Sequence, residues 1–162
     1  MPKEIERKFL VASDDWRADA GPGKRLRQAY LASTDAASIR VRLVDDEDAS
    51  LTIKSASPGL SRDEFEYAIP VDHARAMLAM RIGEVIEKVR YAVPCADGDL
   101  TVDEFSGSNA GLVIAEIEIA DESVSPALPA WIGAEITGDR RYYNASLAAR
   151  PFRSWSAEEK RA

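Results

Sequence analysis

Charged residues recur two positions apart on one extended segment after another, and this recurrence constrains the fold more than any single motif does. The instances are Glu4, Glu6 and Lys8; Arg40 and Arg42; Glu64 and Glu66; Lys88 and Arg90; and Glu116 and Glu118. Side chains on a strand alternate between faces, so residues two apart share a face. Apolar residues occupy the opposite parity, as in Ile39-Arg40-Val41-Arg42-Leu43 and Ala115-Glu116-Ile117-Glu118-Ile119. Lys54 and Asp103 are single charges in otherwise apolar segments. One doublet alone describes a solvated sheet face. A set that is acidic on some strands and basic on others is not what an ordinary mixed, exposed face carries.

Eight segments show this alternation: residues 4–11, 25–32, 38–44, 50–55, 62–69, 85–93, 100–105 and 112–119. Between them lie Gly21-Pro22-Gly23, Asp45-Asp46-Glu47-Asp48, Ser57-Pro58-Gly59 and Asp97-Gly98-Asp99, which are turn and solvated-loop chemistry. Helical spacing appears over 71–80, with Asp72 available as N-cap and Gly83 beyond its end, and this helix is expected outside the sheet. A second helix is expected over 140–149, capped by Asp139 and ended before Pro151, with residues 152–162 fraying. With 162 residues, 46% of them hydrophobic, the chain reads as one domain over 1–150 and a tail over 151–162.

Composition removes several classes of function. A single cysteine, Cys95, makes no internal disulfide and no thiolate zinc site, and a single histidine, His73, disfavours chemistry built on several imidazoles. The net charge of −7 argues against nucleic acid and anionic lipid as partners. No apolar run is long enough to cross a membrane, and the first residues are charged where a secretion signal is apolar, so the expected compartment is the cytoplasm. Gly21-Pro22-Gly23-Lys24-Arg25 lacks the spacing of a phosphate-binding loop and precedes a strand. Asn144-Ala145-Ser146 fits a glycosylation pattern but falls in an expected helix, and Trp16, Trp131 and Trp155 are spaced as packing residues.

If the strands close with the charged face inward, the lumen is lined by carboxylates, guanidinium groups and ammonium groups. Buried charges cost several kcal/mol each unless they are hydrated, paired or filled with ions. Carboxylate oxygens suit Mg²⁺ or Mn²⁺, and clustered Arg and Lys suit phosphate oxygens, so a metal-bound polyphosphate satisfies both halves of the lining.

The ordered motifs Glu4-Ile5-Glu6-Arg7-Lys8, Ile39-Arg40-Val41-Arg42, Leu51-Thr52-Ile53-Lys54, Glu64-Phe65-Glu66-Tyr67, Glu87-Lys88-Val89-Arg90-Tyr91, Val102-Asp103-Glu104-Phe105, Glu116-Ile117-Glu118 and Asp139-Arg140-Arg141-Tyr142-Tyr143-Asn144 resemble those of the CYTH-type triphosphate tunnel metalloenzymes. The resemblance runs from Glu4 to about Ala149. It implies a mainly β (α+β) fold, an eight-stranded antiparallel closed β-barrel tunnel with a few helices outside and a C-terminal helix that plugs or borders it. By the same resemblance Glu4, Glu6, Glu116 and Glu118 are the metal carboxylates, for Mg²⁺ or Mn²⁺. Glu64, Glu66 and Asp103 are supporting acids. Lys8, Arg40, Arg42, Lys54, Lys88, Arg90 and Arg141 are the phosphate binders, with Arg140 the alternative to Arg141.

Chain length and Gln28-Ala29-Tyr30-Leu31 resemble the short bacterial members that hydrolyse inorganic tripolyphosphate to pyrophosphate and phosphate. In those, a tyrosine at the place of Tyr30 lies near a lysine at the place of Lys88, which makes Tyr30, Lys88 and Glu118 the catalytic candidates. The implied partner is a small-molecule triphosphate, and a homodimer is open because family members often dimerise. Alternatives within the family are a class IV adenylyl cyclase, which needs a purine pocket, and a thiamine triphosphatase. The alternative outside enzymology is a non-catalytic polyphosphate-binding module, against which the intact glutamate set stands.

Overall fold

The computed structural model describes residues 3–56 and 61–161, with the side chains of Lys3 and Glu4 outside that description. The expected Ser57-Pro58-Gly59 turn also lies outside the described residues. Strands β1 (Lys3–Val11), β2 (Lys24–Ser33), β3 (Ala37–Val44), β4 (Asp48–Ser55), β5 (Ser61–Ala68), β6 (Ile82–Val93), β7 (Asp99–Ser106) and β8 (Val113–Glu118) form one antiparallel sheet. Their order is β5-β4-β3-β2-β6-β7-β8-β1, and a β5–β1 pairing closes the ring. The eight alternating segments are therefore the eight staves of a barrel. A short strand, β9 (Ile132–Glu135), has no counterpart in the sequence reading. It shares one edge of β1 with β5: β5 pairs Lys3 to Ile5, and β9 pairs Phe9 and Val11.

Closure divides each strand by parity. Phe9, Trp16, Val102, Ala115 and Ile117 pack together on the outer face. On another outer sector Ala29, Val41 and Leu43 pack under helix α1 (Val71–Leu78), whose Ala74 and Leu78 are buried against them. Each large aliphatic group so buried contributes about 1.5–3 kcal/mol. The α1 N-cap is Pro70 rather than Asp72, because the fixed φ of proline suits the extended cap and Asp72 falls in the first turn, where its charge favours the helix dipole. Gly83 belongs to β6 rather than to the helix end, at φ +65°. A Cβ there would lie 2.6 Å from the Ala148 carbonyl oxygen, so glycine permits the close approach of the C-terminal helix.

One end of the lumen is apolar. Tyr30, Ile86, Phe105 and Ile114 meet Tyr142, Leu147 and Trp155 there. The expected helix over 140–149 is broken in two: a 3₁₀ turn, Arg140–Tyr142, capped by the Asp139 carboxylate, and α2 (Asn144–Ala149). Tyr143 is extended between them, φ −64° and ψ 138°. Residues beyond 151 do not all fray: Trp155 is buried against Tyr142, with ring centres 5.1 Å apart, and Arg150 grips Glu159 through two hydrogen bonds. The signal missed was the aromatic set Tyr142, Phe152 and Trp155, spaced to fold back on one another rather than to extend a helix.

Candidate active site: a charged tunnel

The inner face encloses a cavity of about 650 Å³. Its lining includes Glu6 and Lys8 from β1, Tyr30 from β2, Arg40 and Arg42 from β3, and Thr52 and Lys54 from β4. Arg62, Glu64 and Glu66 come from β5, Arg90 from β6, and Glu116 and Glu118 from β8. Arg140, Tyr143 and Asn144 close it from the C-terminal segment. The doublet pattern thus reads out as one surface.

The charges are sorted around the barrel. Glu6 pairs directly with Glu118, and Lys8 with Glu116, across β1 and β8. The Lys8 ammonium lies 3.5 Å from Glu6 and 3.8 Å from Glu116. Burial opposes its charge, but Glu116 and Glu6 outweigh that and raise its pKa above the ordinary lysine value. Strand β3, with Arg40 and Arg42, is four strands from β8 in either direction around the ring, so the guanidinium wall faces the carboxylate wall. Lys54 lies 3.8 Å from Glu64 on the neighbouring strand.

Beneath the lining is a buried triad. Asp103 accepts two hydrogen bonds from Arg90, at 2.7 and 2.8 Å, and its other contact is the Lys88 ammonium at 2.7 Å. Burial works against the Asp103 carboxylate, yet Lys88 and Arg90 together hold it well below the usual range. One anion thus serves two cations, and Lys88 carries the surplus. Burial lowers Lys88 to about 7 against the pull of Asp103, with the nearby Arg90 lowering it further. Its ammonium also donates to the Asn144 side-chain oxygen at 3.2 Å, tying β6 to α2. Arg42 is pushed down to about 9 by burial, with Arg40 and Arg90 adding to the effect.

Most sequence-derived candidates meet on this surface, with four exceptions. Lys88 and Asp103 are buried behind the lining rather than on it. Arg141 is not on it: Asp139 binds its guanidinium at 2.7 and 3.1 Å, and it lies over the Tyr142 and Trp155 rings. Arg140 is the residue on the cavity, because the 3₁₀ turn sends consecutive side chains in different directions. The fourth, Glu4, has its side chain outside the described residues. Tyr30 and Lys88 share no hydrogen bond among the described residues; the β2–β6 register sets Leu26 opposite Lys88.

Sequence reasoning missed Arg62 and Tyr143. The Arg62 guanidinium lies 4.6 Å from the Tyr143 ring centre, and the Lys8 ammonium lies 5.5 Å from the same ring. Arg62 is two residues before Glu64 on the same parity, which was the available signal.

The donor set bears on a metal. The carboxyl groups on the lining are accompanied by neither imidazole nor thiolate, which is the chemistry of a hard divalent cation. Among the described residues no three acids are gathered closely enough to hold a metal. The Lys8 ammonium stands between Glu6 and Glu116, so these carboxylates already accept a cation there. The residues fit such an ion in chemistry, oxygen donors being the ligands a hard divalent cation takes.

Comparisons with known proteins agree with this architecture. The CYTH domain model matches residues 2–152. The inorganic triphosphatase of Acetivibrio thermocellus is 44% identical over 96% of this chain and 99% of its own length. That of Nitrosomonas europaea is 40% identical over 90% of this chain and 96% of its own. A crystal structure of an inorganic triphosphatase, 34% identical, superposes with a TM-score of 0.63 over 89% of this chain and 96% of that one. No helix among the described residues is long and apolar enough to cross a membrane. The closed eight-stranded ring, its inward charge doublets and the match over nearly the whole chain place this protein in the CYTH family.

Proposed function

We propose that this chain is a divalent-metal-dependent triphosphatase that hydrolyses inorganic tripolyphosphate to pyrophosphate and phosphate. The observation that carries the reading is the two-walled tunnel, with Arg40 and Arg42 on β3 facing Glu116 and Glu118 on β8. Two full-length relatives named inorganic triphosphatases support it. The polyanion is bound and aligned by Arg40, Arg42, Lys54, Arg62, Arg90 and Arg140, with Lys8 bridging to the acids. Glu6, Glu116 and Glu118, with Glu4, would hold Mg²⁺ or Mn²⁺; when bound, such an ion neutralises phosphate oxygens and lowers the pKa of water.

The reaction is positioning and charge stabilisation more than covalent chemistry. A water oxygen bonds to the terminal phosphorus in line with the bridging oxygen, the bond to that oxygen breaks, and pyrophosphate leaves. The Glu118 carboxylate orients the water and accepts its proton, and Glu64 holds Lys54 in place on the neighbouring strand. The Tyr30 hydroxyl, on the lining near Lys8 and Arg42, is placed to donate to a phosphate oxygen. Lys88 acts through its partners, fixing Asn144 and, by way of Asp103, Arg90.

Adenylyl cyclase and thiamine triphosphatase activities require a surface for an organic ring. The aromatic residues of the described lining are Tyr30, packed into the apolar plug, and Tyr143, engaged by Arg62 and Lys8. Neither ring is open to stack a base. The cytoplasm is the compartment that suits such a substrate and the reduced Cys95.

Phosphate release from tripolyphosphate, ATP and thiamine triphosphate, with Mg²⁺ and Mn²⁺ separately and cyclic AMP followed in the ATP reactions, tests the reading. Metal-dependent release from tripolyphosphate, with much less from the others, is the expected result. Tight binding without turnover would return the protein to the binding-module class.

A further inference from the structure

The bases on and behind the lining from β1, β3, β4 and β6 fall into two groups by the partners they keep. Lys8 is held by Glu6 and Glu116, Lys54 by Glu64, and Lys88 and Arg90 by Asp103, so carboxylates compensate each of them in place. Arg40 and Arg42 differ. Among the described residues neither has a carboxylate within ion-pair distance; their side-chain partners are neutral oxygens. Arg40 donates from Nη2 to the Thr52 hydroxyl at 3.2 Å, and Arg42 donates from Nε to the Gln28 amide oxygen at 2.8 Å.

Gln28 is fully buried on β2, in register with Arg42 on β3. Its oxygen fixes the Arg42 side chain at Nε, which leaves both terminal nitrogens of the guanidinium for the cavity. Its amide nitrogen has no hydrogen-bond partner, and neither does the buried Nε of Arg40. A buried donor without a partner is uncommon, and the unpaired Nε of Arg40 sits on the wall where an anion would lie. A glutamate at position 28 would fill the same space and make the same contact, but it would neutralise Arg42.

We propose that Gln28 is a positioning residue for substrate binding: it aims Arg42 into the tunnel while leaving its charge uncompensated, so that β3 is the wall against which the most highly charged phosphate of the substrate binds. This rests on the triphosphatase reading and goes beyond it by naming which wall carries free charge and what keeps it free.

The test is a double-mutant cycle read by calorimetry, with tripolyphosphate titrated into protein in the presence of a metal chelator, so that binding is measured apart from turnover. Gln28→Glu is expected to weaken binding about tenfold or more, the scale of a hydrogen bond to a charged group. In an Arg42→Met background the same substitution is expected to change affinity by less than about twofold, because the group it acts through is gone. A structural role would weaken binding equally in both backgrounds, and that result, or unchanged affinity in Gln28→Glu, overturns the proposal. If Gln28→Glu does not fold, Gln28→Met keeps the shape and removes only the acceptor; its loss of affinity must likewise vanish without Arg42. Absence of tripolyphosphate binding by the unaltered protein under these conditions would overturn this inference alone, whereas absence of phosphate release from tripolyphosphate with Mg²⁺ or Mn²⁺ present would overturn the triphosphatase reading and this inference with it.

Discussion

Lys88 and Asp103 meet at 2.7 Å with both side chains almost wholly removed from solvent, and Arg90 holds the same carboxylate from the tunnel side. The pair joins β6 to β7 inside the barrel and, through Asn144, anchors α2. Removal of the anion strands two cations in a low-dielectric interior. Asp103→Ala is therefore expected to cost about 3–5 kcal/mol, measured by urea unfolding, and more than any single substitution among the exposed ion pairs.

The same pair gives a pH dependence with a definite sign. The Lys88 pKa is lower in the fold, about 7, than in the unfolded chain, where it takes the ordinary lysine value of 10.5. Between those values the unfolded chain binds more protons than the folded one, so stability rises with pH across this window. The penalty of a charged Lys88 is present in full below about pH 7 and relieved on the way to 10.5. Wild type should gain stability relative to Lys88→Met between pH 7 and pH 9.5 in denaturant titrations. A constant difference across that range would contradict the assignment.

Glu6 and Glu118 face each other across β1 and β8 on the tunnel side. Glu6→Ala and Glu118→Ala should each reduce turnover by about a hundredfold or more while leaving the circular dichroism spectrum and the cooperative unfolding transition in place. Wild-type rates in both variants would remove these residues from the chemistry.

Arg140 and Arg141 are adjacent but differently placed, Arg140 on the cavity and Arg141 on Asp139. Arg140→Ala should raise KM for tripolyphosphate by about tenfold, with kcat less affected. Arg141 is half exposed and committed to Asp139, so Arg141→Ala should leave KM unchanged and cost no more than about 1 kcal/mol of stability. Steady-state kinetics on the two variants, side by side, separates them.

Gly83 holds β6 against α2 at a positive φ that other residues adopt at a cost. Gly83→Ala combines that strain with a clash against the Ala148 backbone, and about 1–3 kcal/mol of destabilisation is expected. Because α2 carries Asn144 and adjoins Tyr143, activity should fall along with the melting temperature, in contrast to the glutamate variants.

The barrel was legible because its information is local. Parity along residues such as Arg40, Val41 and Arg42 sets the two faces, and turn chemistry sets the ends of the strands. The lining followed from the same parity, so Glu6, Arg42, Lys54 and Glu116 reach the cavity together. What escaped depends on contacts distant in sequence. Strand β9 is only four residues long and exists because the edge of β1 beyond β5 needs a partner. The choice between Arg140 and Arg141 was settled by Asp139, which caps a tight turn and binds Arg141 at once. Arg62 shares its parity with Glu64 and Glu66, an acidic pair that gives the strand the pattern of an acidic doublet and hides the base beside it. Lys88 was expected on the surface of the tunnel, but the length of its side chain, the neighbouring Phe105 ring and the position of Asp103 draw it beneath.

The split edge of β1 also dictates what must come together before the site can exist. Strand β1 finds its β8 and β9 partners in segments far along the sequence, so Glu6 meets Glu118 only when parts distant in the chain have been brought together. Without the β1 pairings the remaining strands would be an open sheet whose two charged walls are not held face to face. Closure forms the final ladder and the catalytic lumen in one event. A polyphosphate that binds only the closed ring would therefore act as a latch on it, stabilising the barrel by an amount that grows with the logarithm of its concentration.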